Sequence, residues 1–235
     1  MTAPTGPGAS TTGTSLIAED LLLLLFAPTS GTIAGEGTLF YPLAGAMLTD
    51  LALRSHVEVD EPALLGRKVR AIAGSPPSDP LLGEIWQRLA RKPRGVQTLL
   101  AEIGPPLRQQ LLDRLVERGD IRRENRKVLG LFPTTALRDG GTPRRAELVG
   151  AVRSVLVDGA EPDTRTAVLA ALLSASGSLP ALHADIPWSG AVYTRGKELE
   201  AGDWGAAAAG EAVARTVTAI STAASLAVVS AARGN

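Results

Sequence analysis

The chain has 235 residues, 24 cations against 24 anions, two histidines and no cysteine. The missing thiols exclude disulfides, thiolate catalysis and cysteine-based metal sites, and His56 and His183 alone do not make a histidine metal site. Hydrophobic residues are 45% of the chain while aromatics are only 3%, a balance of Leu, Ala and Val that favours helices over a β-sandwich.

The neutral total hides an asymmetry. Residues 1–60 hold one cation and six anions; residues 61–153 hold eighteen cations and ten anions, a net of +8; residues 154–235 hold five and eight. A basic middle stretch predicts a positive field on one face.

Residues 1–14 are mostly Thr, Gly, Pro and Ser without a cationic start, and read as a disordered tail rather than a secretory signal. Residues 15–235 read as a single globular multi-helix domain, mainly α, with short β-hairpins. Ser15 is the expected N-cap of a first helix, which runs through a leucine block to Phe26, is apolar nearly all round and should be buried. Its apolar run is too short for a bilayer, which takes about 20 residues. Glu19 and Asp20 fall in its first turn, where they complement the helix dipole. The loop 29–37 lacks the Gly-Lys-Ser/Thr of a phosphate loop. Pro42 opens a second helix with an inner stripe of Leu43, Met47, Leu48 and Leu51. Residues 57–59 and 67–72 read as a strand pair. Asp79 and Pro80 cap a helix that runs to about residue 90. The basic connector Arg91-Lys92-Pro93-Arg94-Gly95 and a short helix to Ile103 follow.

Gly104-Pro105-Pro106 then reads as the start of a fresh helix, because proline lacks an N–H that a first turn cannot use. Leu107, Leu111, Leu112, Leu115 and Val116 form its apolar face, and Gly119 ends it. Arg108 falls in that first turn, where a cation opposes the dipole at about 0.3–1 kcal/mol; a bound anion would reverse the sign. Arg67, Lys68, Arg70, Arg91, Lys92 and Arg94 are candidates to share its face. Next come two short strands with the tight turn at Glu124-Asn125, flanked by the cations Arg122, Arg123, Arg126 and Lys127. Such charges serve either contact with something anionic or protection of an exposed edge. Thr142 and Pro143 start another helix, with Leu148, Val152, Val155 and Leu156 facing inward. Helices near 162–174 and 191–201 and an Ala-rich helix within 206–232 complete the chain. The last of these is polar enough in places to read as a buried amphipathic helix rather than a membrane span.

No Gly-x-Ser-x-Gly and no Gly-x-Gly-x-x-Gly after a strand appears, so no catalytic residue, metal site or cofactor is assigned. One reading from the residues is a winged-helix nucleic-acid binder, since a short helix, a helix with Arg108, Gln109, Gln110 and Arg114, and a basic hairpin occur in the right order. A structural protein-interaction module is another.

Several runs resemble the Golgi phosphoprotein 3 family of phosphatidylinositol 4-phosphate effectors, in a bacterial form. They are Leu16-Ile17-Ala18-Glu19-Asp20-Leu21, Gly45-Ala46-Met47-Leu48-Thr49-Asp50, Leu65-Gly66-Arg67-Lys68-Val69, Asp79-Pro80-Leu81-Leu82-Gly83-Glu84, Leu115-Val116-Glu117-Arg118-Gly119 and Leu129-Gly130-Leu131-Phe132-Pro133-Thr134-Thr135. They stand in the family's order over about residues 15–230. The resemblance implies a non-enzymatic peripheral membrane protein in the cytoplasm, on the inner face of the membrane, with no nucleic-acid partner. It implies a lipid headgroup site at Arg108, with Phe40 and Tyr41 the nearest aromatics to the family's tryptophan. Ala44 and Pro105 stand where the family has two further arginines, so 4-phosphate selectivity is weakened, because charge-assisted bonds supply most of such affinity. It further implies a membrane-contact hairpin formed by Arg122, Arg123, Arg126, Lys127, Val128 and Leu129, through which an anionic phospholipid surface and a homo-oligomer partner are expected.

Overall fold

The computed structural model describes residues 15–60, 67–128, 132–202 and 211–234. Among them the fold is mainly α: eight helices, one 3-10 turn and three small antiparallel sheets, the first of them the pair β1 (Phe26–Ala27) and β2 (Thr32–Ile33). The centre is α1 (Ile17–Leu25), all nine of whose residues are buried. It is wrapped by α2 (Phe40–Leu53), α4 (Val96–Glu117), α5 (Arg144–Leu156) and α6 (Thr164–Ala175). The C-terminal helix α8 (Glu211–Arg233) lies across α2, α4 and α6. It is long and apolar enough to cross a bilayer by length and composition, with its inner face buried in the core. α3 (Pro80–Arg91) and α7 (Gly190–Glu200) close the flanks. The Asp79 carboxylate accepts the Leu81 and Leu82 N–H groups, so α3 starts where Asp79-Pro80 predicts.

Three elements depart from the sequence reading. The N-cap of α1 is Leu16, in extended conformation, and not Ser15. Ser15 Oγ donates instead to Asp20 Oδ1 at 3.2 Å, while Glu19 accepts the Leu16 N–H at 3.1 Å. The basic connector contributes a strand, β5 (Arg94–Gly95), which joins β3 (Val57–Val59) and β4 (Lys68–Ala71) in the order β3-β4-β5. Most consequentially, Pro105 and Pro106 do not open a helix but lie inside α4, which runs unbroken for 22 residues. Two missing N–H groups leave the carbonyls four residues earlier, those of Ala101 and Glu102, without helical donors. All four residues are exposed, so water can serve those carbonyls. Arg108 therefore sits mid-helix, away from any helix start.

Gly104 is what lets α4 pass so close to α2. A Cβ there would lie 2.5 Å from the Phe40 carbonyl oxygen and 3.1 Å from Phe40 Cβ. Gly104→Ala should cost roughly 1–3 kcal/mol as an overpacking change against backbone. Thermal unfolding of the variant checks this; an unchanged midpoint would mean that the two helices slide apart freely.

Gly119 (φ 78°) ends α4 in the left-handed region. The hairpin β6 (Ile121–Val128) and β7 (Phe132–Asp139) follows, in register from Ile121↔Asp139 at its base to Val128↔Phe132 at its far end. Each strand has eight residues, about 27 Å of extended chain. The turn is thus not at Glu124-Asn125. Both residues are paired in mid-strand, with Ala136 and Thr135. Only Ile121 of the described β6 side chains is buried, and Leu137 packs partly on the core.

Candidate functional site

Phe40 meets Gly104 where α2 crosses α4. Gly104 packs on the Phe40 backbone, and Arg108 stands one helical turn further on the same side of α4. The Tyr41 ring lies against Phe40, with centroids 4.1 Å apart. All three side chains are half-buried. Two facts limit what they can do. The Arg108 guanidinium is ion-paired with Glu36, a residue of the loop before α2. Ala44, where the resemblance places an arginine, is fully buried, so it adds nothing polar to the surface. Nothing in a loop rich in Gly and Thr signals that Glu36 has a partner more than 70 residues away in the chain.

The other candidate cations gather elsewhere. Glu102, Ile103 and Pro106 border clefts toward α3, on a different side of α4 from Gly104 and Arg108. Arg91, Lys92 and Arg94 line one of these clefts with Glu102. Arg67 and Lys68 lie on or beside β4, where Lys68 pairs in register with Gly95. Arg70 is held by Glu58 at 2.6 Å and Asp60 at 2.9 Å. They do not share a face with Arg108.

The hairpin cations lie in a single strand instead of flanking a turn. Arg122, Glu124 and Arg126 alternate with Arg123, Asn125 and Lys127 along β6. Arg123 pairs with Asp113 of α4 at 2.5 Å, which braces the strand against the body. Arg122 stands directly opposite Arg138, a like-charge arrangement that is unfavourable in a free hairpin. Arg138 is drawn to Glu124 at 2.8 Å. Val128 pairs with Phe132 at the end of the ladder, and Leu129 lies outside the described residues.

The largest concentration of charge is internal. Glu19 is fully buried and Asp20, Asp50 and Asp120 nearly so. Four arginines, from α4 and its C-cap, α5 and α6, converge on Glu19, Asp20 and Asp120. Glu19 meets Arg118 at 2.9 Å and Arg114 at 3.3 Å. Asp20 meets Arg144 at 2.5 Å and also Arg165. Arg144 reaches on to Asp120 at 2.5 Å, which also accepts from Thr142 Oγ1 at 2.6 Å. Burial lowers the Arg144 pKa, but the Asp20 and Asp120 carboxylates outweigh it and hold the guanidinium above its ordinary value. This is the fate of the acidic pair read from the sequence as helix-dipole partners. The network fastens α1, α4, α5 and α6 to one another.

Asp50 differs from its neighbours. Burial pushes its pKa up from 3.8 to about 6, against the opposing pull of the Ile17 N–H, Arg54 and Arg165. The Ile17 N–H donates to it at 2.6 Å. Its folded pKa lies above the unfolded one, so the folded state binds the extra proton between the two values. Stability contributed by this group therefore falls as pH rises from about 4 to about 6, by roughly 3 kcal/mol in all. Asp50→Asn keeps an acceptor for Ile17 and should flatten that part of the profile, as urea denaturation across pH 4–7 would register. A variant with an unchanged slope would contradict the assignment.

With this geometry in view, comparison with known proteins is specific. The family model of Golgi phosphoprotein 3 (GPP34) matches residues 17–216. That span runs from the first residue of α1 into α8 and includes both the Arg108 site and the hairpin. No curated protein matches the chain. The chain belongs to the Golgi phosphoprotein 3 (GPP34) family.

Proposed function

We propose that this protein is a non-enzymatic adaptor that sits peripherally on an anionic phospholipid surface and reads its charge more than its headgroup identity. Family membership supports the adaptor class. The observation that carries the membrane reading is the hairpin: four cations within six consecutive residues of β6, on a strand only one of whose described side chains is buried. A cation near an anionic leaflet is worth about 1 kcal/mol. The Arg108–Glu36 pair is what argues against headgroup selectivity. A phosphate entering beside Phe40 must displace a carboxylate already on the guanidinium. The loss of two of the family's arginines, at Ala44 and Pro105, removes the charge that would offset that exchange. Cytoplasmic residence and the absence of a nucleic-acid partner belong to the same proposal. Self-association through the hairpin does too.

Vesicles matched for total surface charge test this. One set contains phosphatidylserine and the other phosphatidylinositol 4-phosphate, in phosphatidylcholine. The two should sediment equal fractions of protein, and Arg108→Ala should change neither. Glu36→Gln, which frees the guanidinium, should raise binding to the 4-phosphate set alone. A wild-type preference for the 4-phosphate that disappears in Arg108→Ala would overturn the reading in favour of a working headgroup pocket.

A further inference from the structure

A groove runs between the first turn of α4 and the outward face of α8, apart from both the hairpin and Arg108. Its volume is about 660 Å³, within the usual span of ligand clefts. Val96, Ala219 and Ala223, all buried, form an apolar floor, and Leu226, Arg67 and Thr98 also line the groove. The Gln97 side chain donates to the Ala223 carbonyl at 2.8 Å and ties the two walls together. Leu226 is 60% exposed, and Val229, one turn on, is 42% exposed. Together with Tyr193 these are the large hydrophobic side chains left exposed among the described residues. Adjacent exposed apolar side chains on a helix, rimmed by polar groups, mark an interaction site more often than chance.

Among the described residues beside the groove, the charges left without an opposite partner are cations. Arg70 and Arg94 are held by Glu58, Asp60 and Glu102. Arg67, in the groove, and Lys68, opposite the groove residue Gly95, are exposed and have no carboxylate partner among the described residues. No acidic residue lies in the first turn of α4. The occupant should therefore be acidic. It should also be convex, because the apolar floor is recessed; a flat bilayer would meet the rim first. Thr218, Thr222 and Leu226 repeat every four residues along the wall, a track of about 12 Å, which is two turns of a docked helix. A second copy of this chain is disfavoured, because a two-fold contact through the groove would bring identical cationic rims together.

We propose that this groove docks an acidic amphipathic helix of a partner protein, with apolar side chains against Ala219, Ala223 and Leu226 and carboxylates toward Arg67 and Lys68. The probe is a fluorescein-labelled helix of Leu, Ala and Glu with leucines at i, i+3, i+4 and i+7, with a twin in which Lys replaces every Glu. Anisotropy with the full-length protein should give saturable binding of the acidic peptide and none of the twin. Leu226→Gln and Arg67→Glu, both at exposed positions, should each weaken it roughly tenfold, with thermal midpoint and vesicle sedimentation unchanged. Absence of saturable binding, equal binding of the twin, or wild-type affinity in both variants would overturn the proposal. Loss of vesicle binding in Leu226→Gln would give the groove to a membrane, and a shift from dimer to monomer in that variant would give it to a second copy. Either result would overturn it as well.

Discussion

Replacing Arg144 with alanine should remove about 3–5 kcal/mol of folding stability. The side chain reaches Asp20 and Asp120 at 2.5 Å each, and those carboxylates are 3% and 4% exposed. Without it Asp20 keeps Arg165, but Asp120 keeps only the Thr142 hydroxyl among its side-chain partners. A buried carboxylate stripped of its cation must take up a proton or draw in water, and either costs several kcal/mol. Arg144→Lys keeps one charge but not the fork that spans two carboxylates, so it should fall between wild type and alanine. Arg88→Ala is the comparison. Its partner Glu84 is exposed at i,i+4, and such pairs contribute about 0.3–0.5 kcal/mol. Urea denaturation followed by circular dichroism measures all three. Equal losses for Arg144→Ala and Arg88→Ala would mean that the buried network is structurally idle.

Neutralising the hairpin should abolish membrane binding with little effect on the fold. In a protein with Arg122, Arg123, Arg126 and Lys127 all changed to glutamine, Arg123 gives up its pair with Asp113, and an exposed pair is worth at most about 1 kcal/mol. The other three cations each forfeit about 1 kcal/mol of attraction to an anionic leaflet. Together that is about 3 kcal/mol, or more than a hundredfold in apparent affinity. Relief of the Arg122–Arg138 opposition works in the other direction on stability. The variant should therefore melt near the wild-type temperature and still fail to sediment with anionic vesicles. A variant that binds as wild type would assign the hairpin charges to solubility and edge protection.

Much of the architecture was legible in the residues, for identifiable reasons. Leucine spacing, Asp79-Pro80, Gly119 and the strand pattern at 57–59 and 67–72 act locally, and the elements that they mark formed within a residue or two of where they were read. The failures came where distant contacts overrule local preference. Pro105 and Pro106 are strong start signals, yet Gly104 pressed against Phe40 and water-accessible carbonyls allow α4 to run straight through. Glu124-Asn125 carries weak turn chemistry beside a longer ladder whose base is fixed by buried Ile121 and partly buried Leu137. The acidic pair Glu19-Asp20 looked like dipole partners because Arg144 and Arg165 lie more than 120 residues away. For the site, Arg108 stood out in the residues and the family resemblance added Phe40 and Tyr41; the fold sets Gly104, one turn before Arg108, against Phe40, with the Tyr41 ring beside it. Glu36, which occupies the guanidinium, could be found only in three dimensions.

The central claim is that charge on a projecting hairpin holds this protein to an anionic membrane surface. The most direct test is sedimentation of the wild-type protein with phosphatidylcholine vesicles, with and without phosphatidylserine, as salt is raised. Binding should appear only with the anionic lipid and weaken steeply between low and physiological salt, where screening shortens to about 8 Å. Binding that is equal on neutral vesicles, or indifferent to salt, would contradict the account.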